Sequence, residues 1–150
     1  MNDIMIKIIA GTISTFGFAI LFKLKPKLWL FATIDGFAAC VFYFLFSEIF
    51  DGAFIPNAIA AFIAALLSEV FARICKAPTT VFLLPGCIAL VPGGTLYYTM
   101  NNLLSQNYEA ATGYFLTTLT VGIGIGGGVI AASLLRYFIE KIINILKKKR

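Results

Sequence analysis

Residues 83–100 read LLPGCIALVPGGTLYYTM, and most of the chemistry this chain can offer is gathered there. Two Pro-Gly pairs, Pro85-Gly86 and Pro92-Gly93, interrupt a run apolar enough to cross a bilayer. Proline removes a backbone donor and collides with the preceding turn, and glycine admits conformations that other residues avoid. In lipid a helix breaks only where protein or a water-filled cavity satisfies the freed backbone groups. Broken helices near the bilayer midplane are where many transporters hold their substrates.

After Gly93-Gly94 a second half-helix can begin. Its free amides and positive dipole end would face the midplane, a suitable seat for a carboxylate. Thr95, Tyr97, Tyr98 and Thr99 add hydroxyls for directional hydrogen bonds. The substrate-binding set read from this stretch is therefore Pro85, Gly86, Pro92, Gly93, Gly94, Thr95, Tyr97, Tyr98 and Thr99. In regular helix Thr95, Thr99 and Asn102 share one face and Gly94, Tyr98 and Asn101 an adjacent one, which suits a lumen better than lipid. The plainer alternative is a proline-kinked structural helix whose tyrosines form an interfacial belt.

Asp35, in TIDGFAA, is the other candidate. It lies about seven residues, or roughly 10 Å, inside the nearer edge of its apolar run. A buried charge is expensive there, so the carboxylate must face water, meet a partner or carry a proton. The functional reading is a proton-coupling or cation-handling group. The bland one is a neutral Asp bonded to a neighbouring helix.

Other residue types close off whole classes of chemistry. The chain has no His, and its three cysteines, Cys40, Cys75 and Cys87, show neither C-x-x-C nor metal-ligand spacing. They read as apolar packing residues. No catalytic acid, base and nucleophile set is expected, and neither a metal site nor a cofactor. The GIGIGGG run, Gly122 to Gly128, is no nucleotide loop, because it lacks the strand and βαβ unit such a loop needs. Gly122 with Gly126, and Gly124 with Gly128, instead form small-x-x-x-small pairs for close helix packing, with the fourth span as the expected neighbour. Thr117, Thr118 and Thr120 precede the run and either line a polar path or satisfy backbone groups. Glu69 and Arg73 are spaced as an i,i+4 surface pair, and Asn57 reads as interfacial.

These residues must be positioned by membrane spans. The chain is 60% hydrophobic and 13% charged, with mean hydropathy +0.93. Soluble domains are about 45–50% apolar and about 25% charged. Five apolar runs, 4–22, 28–47, 54–74, 79–104 and 112–139, are each long enough for a helix of roughly 20 residues to span. The fold class expected is an all-α, five-span membrane domain covering residues 1–150, with the fourth helix broken at Pro92-Gly93 and a basic tail at 140–150. The first run has no strongly basic flank and no A-x-A-like cleavage site, so it reads as a retained span.

The net charge of +5 follows topology rather than nucleic-acid binding. Lys23, Lys25 and Lys27 fall after span one, Arg73 and Lys76 after span three, and Arg136, Lys141 and Lys147 to Arg150 at the end of span five. All share one side, while Asp3, Glu48, Asp51 and Glu109 take the other, where only Lys7 is basic. The positive-inside rule then puts the N-terminus outside and the C-terminus in the cytoplasm.

Pro92-Gly93 followed by Tyr97, within LVPGGTLYYTM and preceded by APTTVFLLPG, resembles the threonine/serine exporter family, and in particular the small five-span subunit of its split form. The resemblance covers nearly the whole chain by length and span order, and is sharpest over residues 77–100. Ala89 departs from the pattern where relatives often carry another Pro, which touches the first break and leaves Pro92-Gly93 intact. The resemblance implies export across a bacterial inner membrane with a larger five-span partner that carries a cytoplasmic extension. It links relatives to threonine and serine, and others to dicarboxylates. Opposite orientations of two such halves would suit an inverted-repeat transporter.

With no ATP motif, an ion or proton gradient would drive export of a small carboxylate-bearing metabolite, of threonine or serine type. The alternatives are a small homo-oligomeric channel, a dicarboxylate exporter subunit, and a non-transporting membrane scaffold.

Overall fold

The computed structural model describes residues 2–148, and it is all-helical over that range. Six helices follow one another: α1 (Asn2–Leu21), α2 (Pro26–Ser47), α3 (Phe54–Cys75), α4 (Thr80–Ile88), α5 (Gly93–Leu104) and α6 (Tyr108–Lys148). Four of them, α1, α2, α3 and α6, are long and apolar enough to cross a membrane. The pair α4 and α5, bent by 55° at its break, makes a fifth span if counted as one. Of the basic tail, Lys149 and Arg150 lie outside the described residues, while the backbone is helical through Lys148.

The turns are set by single residues. Lys23 (φ 54°), Gly52 (φ 97°), Lys76 (φ 49°) and Gln106 (φ 58°) reverse the chain between α1 and α2, α2 and α3, α3 and α4, and α5 and α6. Pro26 opens α2 at a position where its missing N–H costs nothing. Trp29 Nε1 donates to Leu24 O at 2.9 Å and ties α2 to the turn before it.

α3 is the centre of the bundle, packed against α2, α4 and α6. Its buried stripe runs through Asn57, Ala60, Ala61, Ala64, Ala65, Ser68 and Ala72. Such small side chains let neighbouring backbones come close, which is how helices gain contact energy in lipid. α6 answers with Gly124 and Gly128. A Cβ on Gly124 would lie 2.8 Å from Phe54 O, and one on Gly128 would strike Ala58 O. The partner of this glycine pair is thus α3, not the fourth span, because the matching stripe of small residues is on α3. Gly122, Gly126 and Gly127 have nothing within 4 Å of an added Cβ and make no close packing contact.

The helix ends are locked by two mechanisms. Phe82 of α4 is fully buried among Phe31 and Phe71, with ring centroids 6.5 and 6.1 Å away. Arg73 pairs with Glu140 at 2.7 Å and Arg136 with Glu69 at 3.0 Å, so two ion pairs join α3 to α6. The expected Glu69–Arg73 pair does not form, since α6, which runs parallel to α3, offers each residue an opposite charge across the helix interface.

Candidate functional site

The break in the fourth span lies at residues 89–92, between Ile88 and Gly93. Pro85-Gly86 does not break the chain. Both residues lie inside α4, where Pro85 is fully buried and the helix continues for another turn. A single missing donor at Pro85 is tolerated in this packed environment. At Pro92 the missing donor coincides with two glycines, and regular bonding fails.

Backbone accounting at the break identifies the groups left over. Leu90 N donates to Cys87 O, Val91 N to Ile88 O, Gly93 N to Val91 O (2.8 Å) and Leu96 N to Pro92 O (3.1 Å). Among the described residues, the amides of Gly94 and Thr95 and the carbonyls of Ala89 and Leu90 then have no hydrogen-bond partner. The first pair belongs to the positive end of α5, the second to the negative end of α4.

All four residues border one cleft of about 310 Å³, together with Tyr43, Asn57, Pro92, Gly93 and Thr117. Thr118 Oγ1 donates to Thr95 Oγ1 at 2.8 Å, and Thr95 Oγ1 donates to Pro92 O at 3.1 Å. Tyr114 O, 2.9 Å from Thr118 Oγ1, is the alternative acceptor for that proton. This hydroxyl chain pins the start of α5 to α6.

The predicted site residues separate at this point. Pro92, Gly93, Gly94 and Thr95 line the cleft. Thr99 is buried, with its hydroxyl spent on Thr95 O at 2.8 Å. Tyr97 and Tyr98 are exposed and turned away from the cleft; Tyr98 stacks on Tyr114 with centroids 5.3 Å apart and meets Tyr97 edge-on.

Two polar lining residues, Tyr43 and Asn57, escaped the sequence reading. Asn57 is buried near the start of α3, and its Nδ2 donates to Ala53 O at 2.7 Å. The signal was present: Asn57, Ala60, Ala61 and Ala64 follow an i, i+3, i+4, i+7 stripe that marks an inward face.

Asp35 is fully buried, away from the cleft, between α2, α3 and α4. Ser68 Oγ donates to its Oδ2 at 2.6 Å, and its Oδ1 has no partner among the described residues. Gly86 supplies the third wall, so Asp35 and one member of the predicted substrate set form a separate polar cluster. Immediately after Asp35, Gly36 packs directly on Thr15 of α1.

A family model described as threonine/serine exporter, ThrE, matches residues 7–135. The chain belongs to the threonine/serine exporter family. The matched region of this exporter-family chain holds the break, the cleft, Asp35 and the Gly124–Gly128 contact. The family and the apolar helices make it a multi-pass membrane protein of the threonine/serine exporter type. No individual curated protein and no solved structure matches it.

Proposed function

We propose that this chain is one half of a secondary transporter that exports threonine- or serine-type amino acids, and that the cleft at the α4–α5 break is its substrate site. The observation that carries the reading is the pairing of free amides, at Gly94 and Thr95, with free carbonyls, at Ala89 and Leu90, around one cleft. An amino acid is a zwitterion. Its carboxylate suits the amide end of a half-helix, and its ammonium suits the carbonyl end of another. The hydroxyl of a threonine or serine side chain would find Thr95, Thr117 and Tyr43 around it.

The other half is a larger five-span partner with a cytoplasmic extension. The exposed outer face of α5, which packs mainly on α6 among the described residues, supports a further helical neighbour there. The basic loop bias supports an N-terminus outside and a C-terminus in the cytoplasm of a bacterial inner membrane. An ion or proton gradient drives export, with Asp35 as the residue that takes and releases the proton. Its burial, with one oxygen unpartnered, supports that role.

A second reading, a dicarboxylate exporter subunit, draws on Lys7. This residue borders a separate cleft of about 430 Å³ on α1, α2 and α4, which shares Tyr43, Ala89 and Leu90 with the first. A cation there would balance a second carboxylate.

The test is efflux of labelled threonine, serine and succinate from cells that express the chain alone or with a five-span partner from a neighbouring gene. Partner-dependent efflux of threonine or serine supports the first reading, and efflux of succinate alone supports the second. Efflux from the chain alone would replace the half-transporter with a homo-oligomer.

A further inference from the structure

We propose that the end of the bundle formed by the α1–α2 and α3–α4 turns is a binding site for the headgroup phosphate of an anionic phospholipid. Four lysines, Lys23, Lys25, Lys27 and Lys76, converge on one cleft of about 630 Å³. No carboxylate lines it, and among the described residues none of the four lysines is in an ion pair. The walls are apolar, with Phe22, Leu28, Phe31 and Val81 among them. The cleft shares no residue with the one at the α4–α5 break.

Loop topology accounts for lysines at this end of the molecule but not for their convergence. The helix dipole accounts for only half of them. Lys23 and Lys76 follow the C-termini of α1 and α3, where positive charge is favourable. Lys25 and Lys27 flank the first residue of α2, where positive charge opposes the dipole, and Lys25 makes no side-chain cap. A bound anion reverses that penalty, because it meets the lysines and the amide end of α2 together.

The walls select the source of the phosphate. A free phosphate gains nothing from Phe22, Leu28, Phe31 and Val81, whereas acyl chains lie along them. Basic pockets between membrane helices are recognised seats for such headgroups. Each lysine close to an anionic headgroup is worth about fivefold in affinity.

The experiment is native mass spectrometry of the purified full-length chain in detergent, titrated with equal amounts of phosphatidylglycerol and phosphatidylcholine. Retention of phosphatidylglycerol over phosphatidylcholine is expected, with a fall of roughly fivefold in Lys76→Gln and a larger one in Lys25→Gln/Lys27→Gln. Lys76→Arg should restore retention, and Lys141→Gln, on the exposed part of α6, should not alter it. The single Lys76 variants keep the test valid if the double variant misfolds.

Equal retention of the two lipids by the unaltered chain would overturn the proposal. So would an equal loss in Lys141→Gln, which would mean a diffuse charge effect. Displacement of the lipid by millimolar inorganic phosphate would assign the site to a free anion and overturn it as well.

Discussion

Gly86 lies so close to Asp35 that no side chain fits between them: a Cβ at residue 86 would come within 2.9 Å of Asp35 Cγ and closer still to Oδ2. The buried carboxylate is therefore held against α4, the half-helix that leads into the break. Gly86→Ala should destabilise the protein by about 1–3 kcal/mol through overpacking. Thermal unfolding in detergent measures this, and the added substitution Asp35→Ala should recover part of the loss by making room. Unchanged stability in Gly86→Ala would contradict the contact.

The coupling role proposed for Asp35 can be tested apart from folding. Asn at position 35 keeps the shape and can still accept from Ser68 Oγ, so Asp35→Asn should fold and reach the membrane. Its transport should no longer respond to a pH gradient, measured as efflux rate with and without a protonophore. Ser68→Ala removes the one side-chain donor to Asp35 among the described residues and should cost about 1–3 kcal/mol of stability, the usual penalty for a buried acceptor left unpaired.

At the break, Gly93 has open space where a Cβ would go. Gly93→Leu should therefore leave expression and unfolding temperature close to those of the unaltered chain while abolishing efflux, since the new side chain enters the cleft. Tyr97→Phe, on the exposed face away from the cleft, should keep transport near its original level. A fully active Gly93→Leu variant would remove the break from the mechanism.

The α6 glycines divide into two kinds. Gly128→Ala should destabilise by about 1–3 kcal/mol, because its Cβ meets the Ala58 carbonyl, which belongs to backbone and cannot yield. Gly126→Ala meets nothing and should be neutral or stabilising by roughly 0.5–1 kcal/mol, as expected when a helical glycine is replaced. Unfolding of the two variants under one condition distinguishes them.

These contrasts trace what could be read before the structure. Long apolar runs and the Pro92-Gly93-Gly94 cluster specify helices and a break through local chemistry, so α1 to α3, α5 and the interruption were legible. Pro85-Gly86 carries the same local signal, yet tertiary burial of Pro85 keeps α4 intact. Whether a helical face meets protein or lipid depends on which helix lies beside it, and hydropathy alone does not report that in a membrane. Tyr97 and Tyr98 thus fell on the outer face, Gly124 and Gly128 chose α3, and Glu69 and Arg73 found partners on α6. Asn57 was recoverable from the alanine stripe it continues. Asp35 was visible as an intramembrane acid, but its neighbours Ser68 and Gly86 come from distant parts of the chain.

The most direct test of the zwitterion site is competition. Efflux of labelled threonine should be measured from membrane vesicles that hold the chain and the proposed five-span partner, with unlabelled threonine, N-acetylthreonine or threonine amide on the substrate-loading side. The account predicts that threonine competes and that both derivatives lose most of their potency, since each lacks one of the two charges that the Ala89–Leu90 carbonyls and the Gly94–Thr95 amides receive. Competition by N-acetylthreonine as strong as that by threonine would contradict it, because the carbonyl end of α4 would then have no part in recognition.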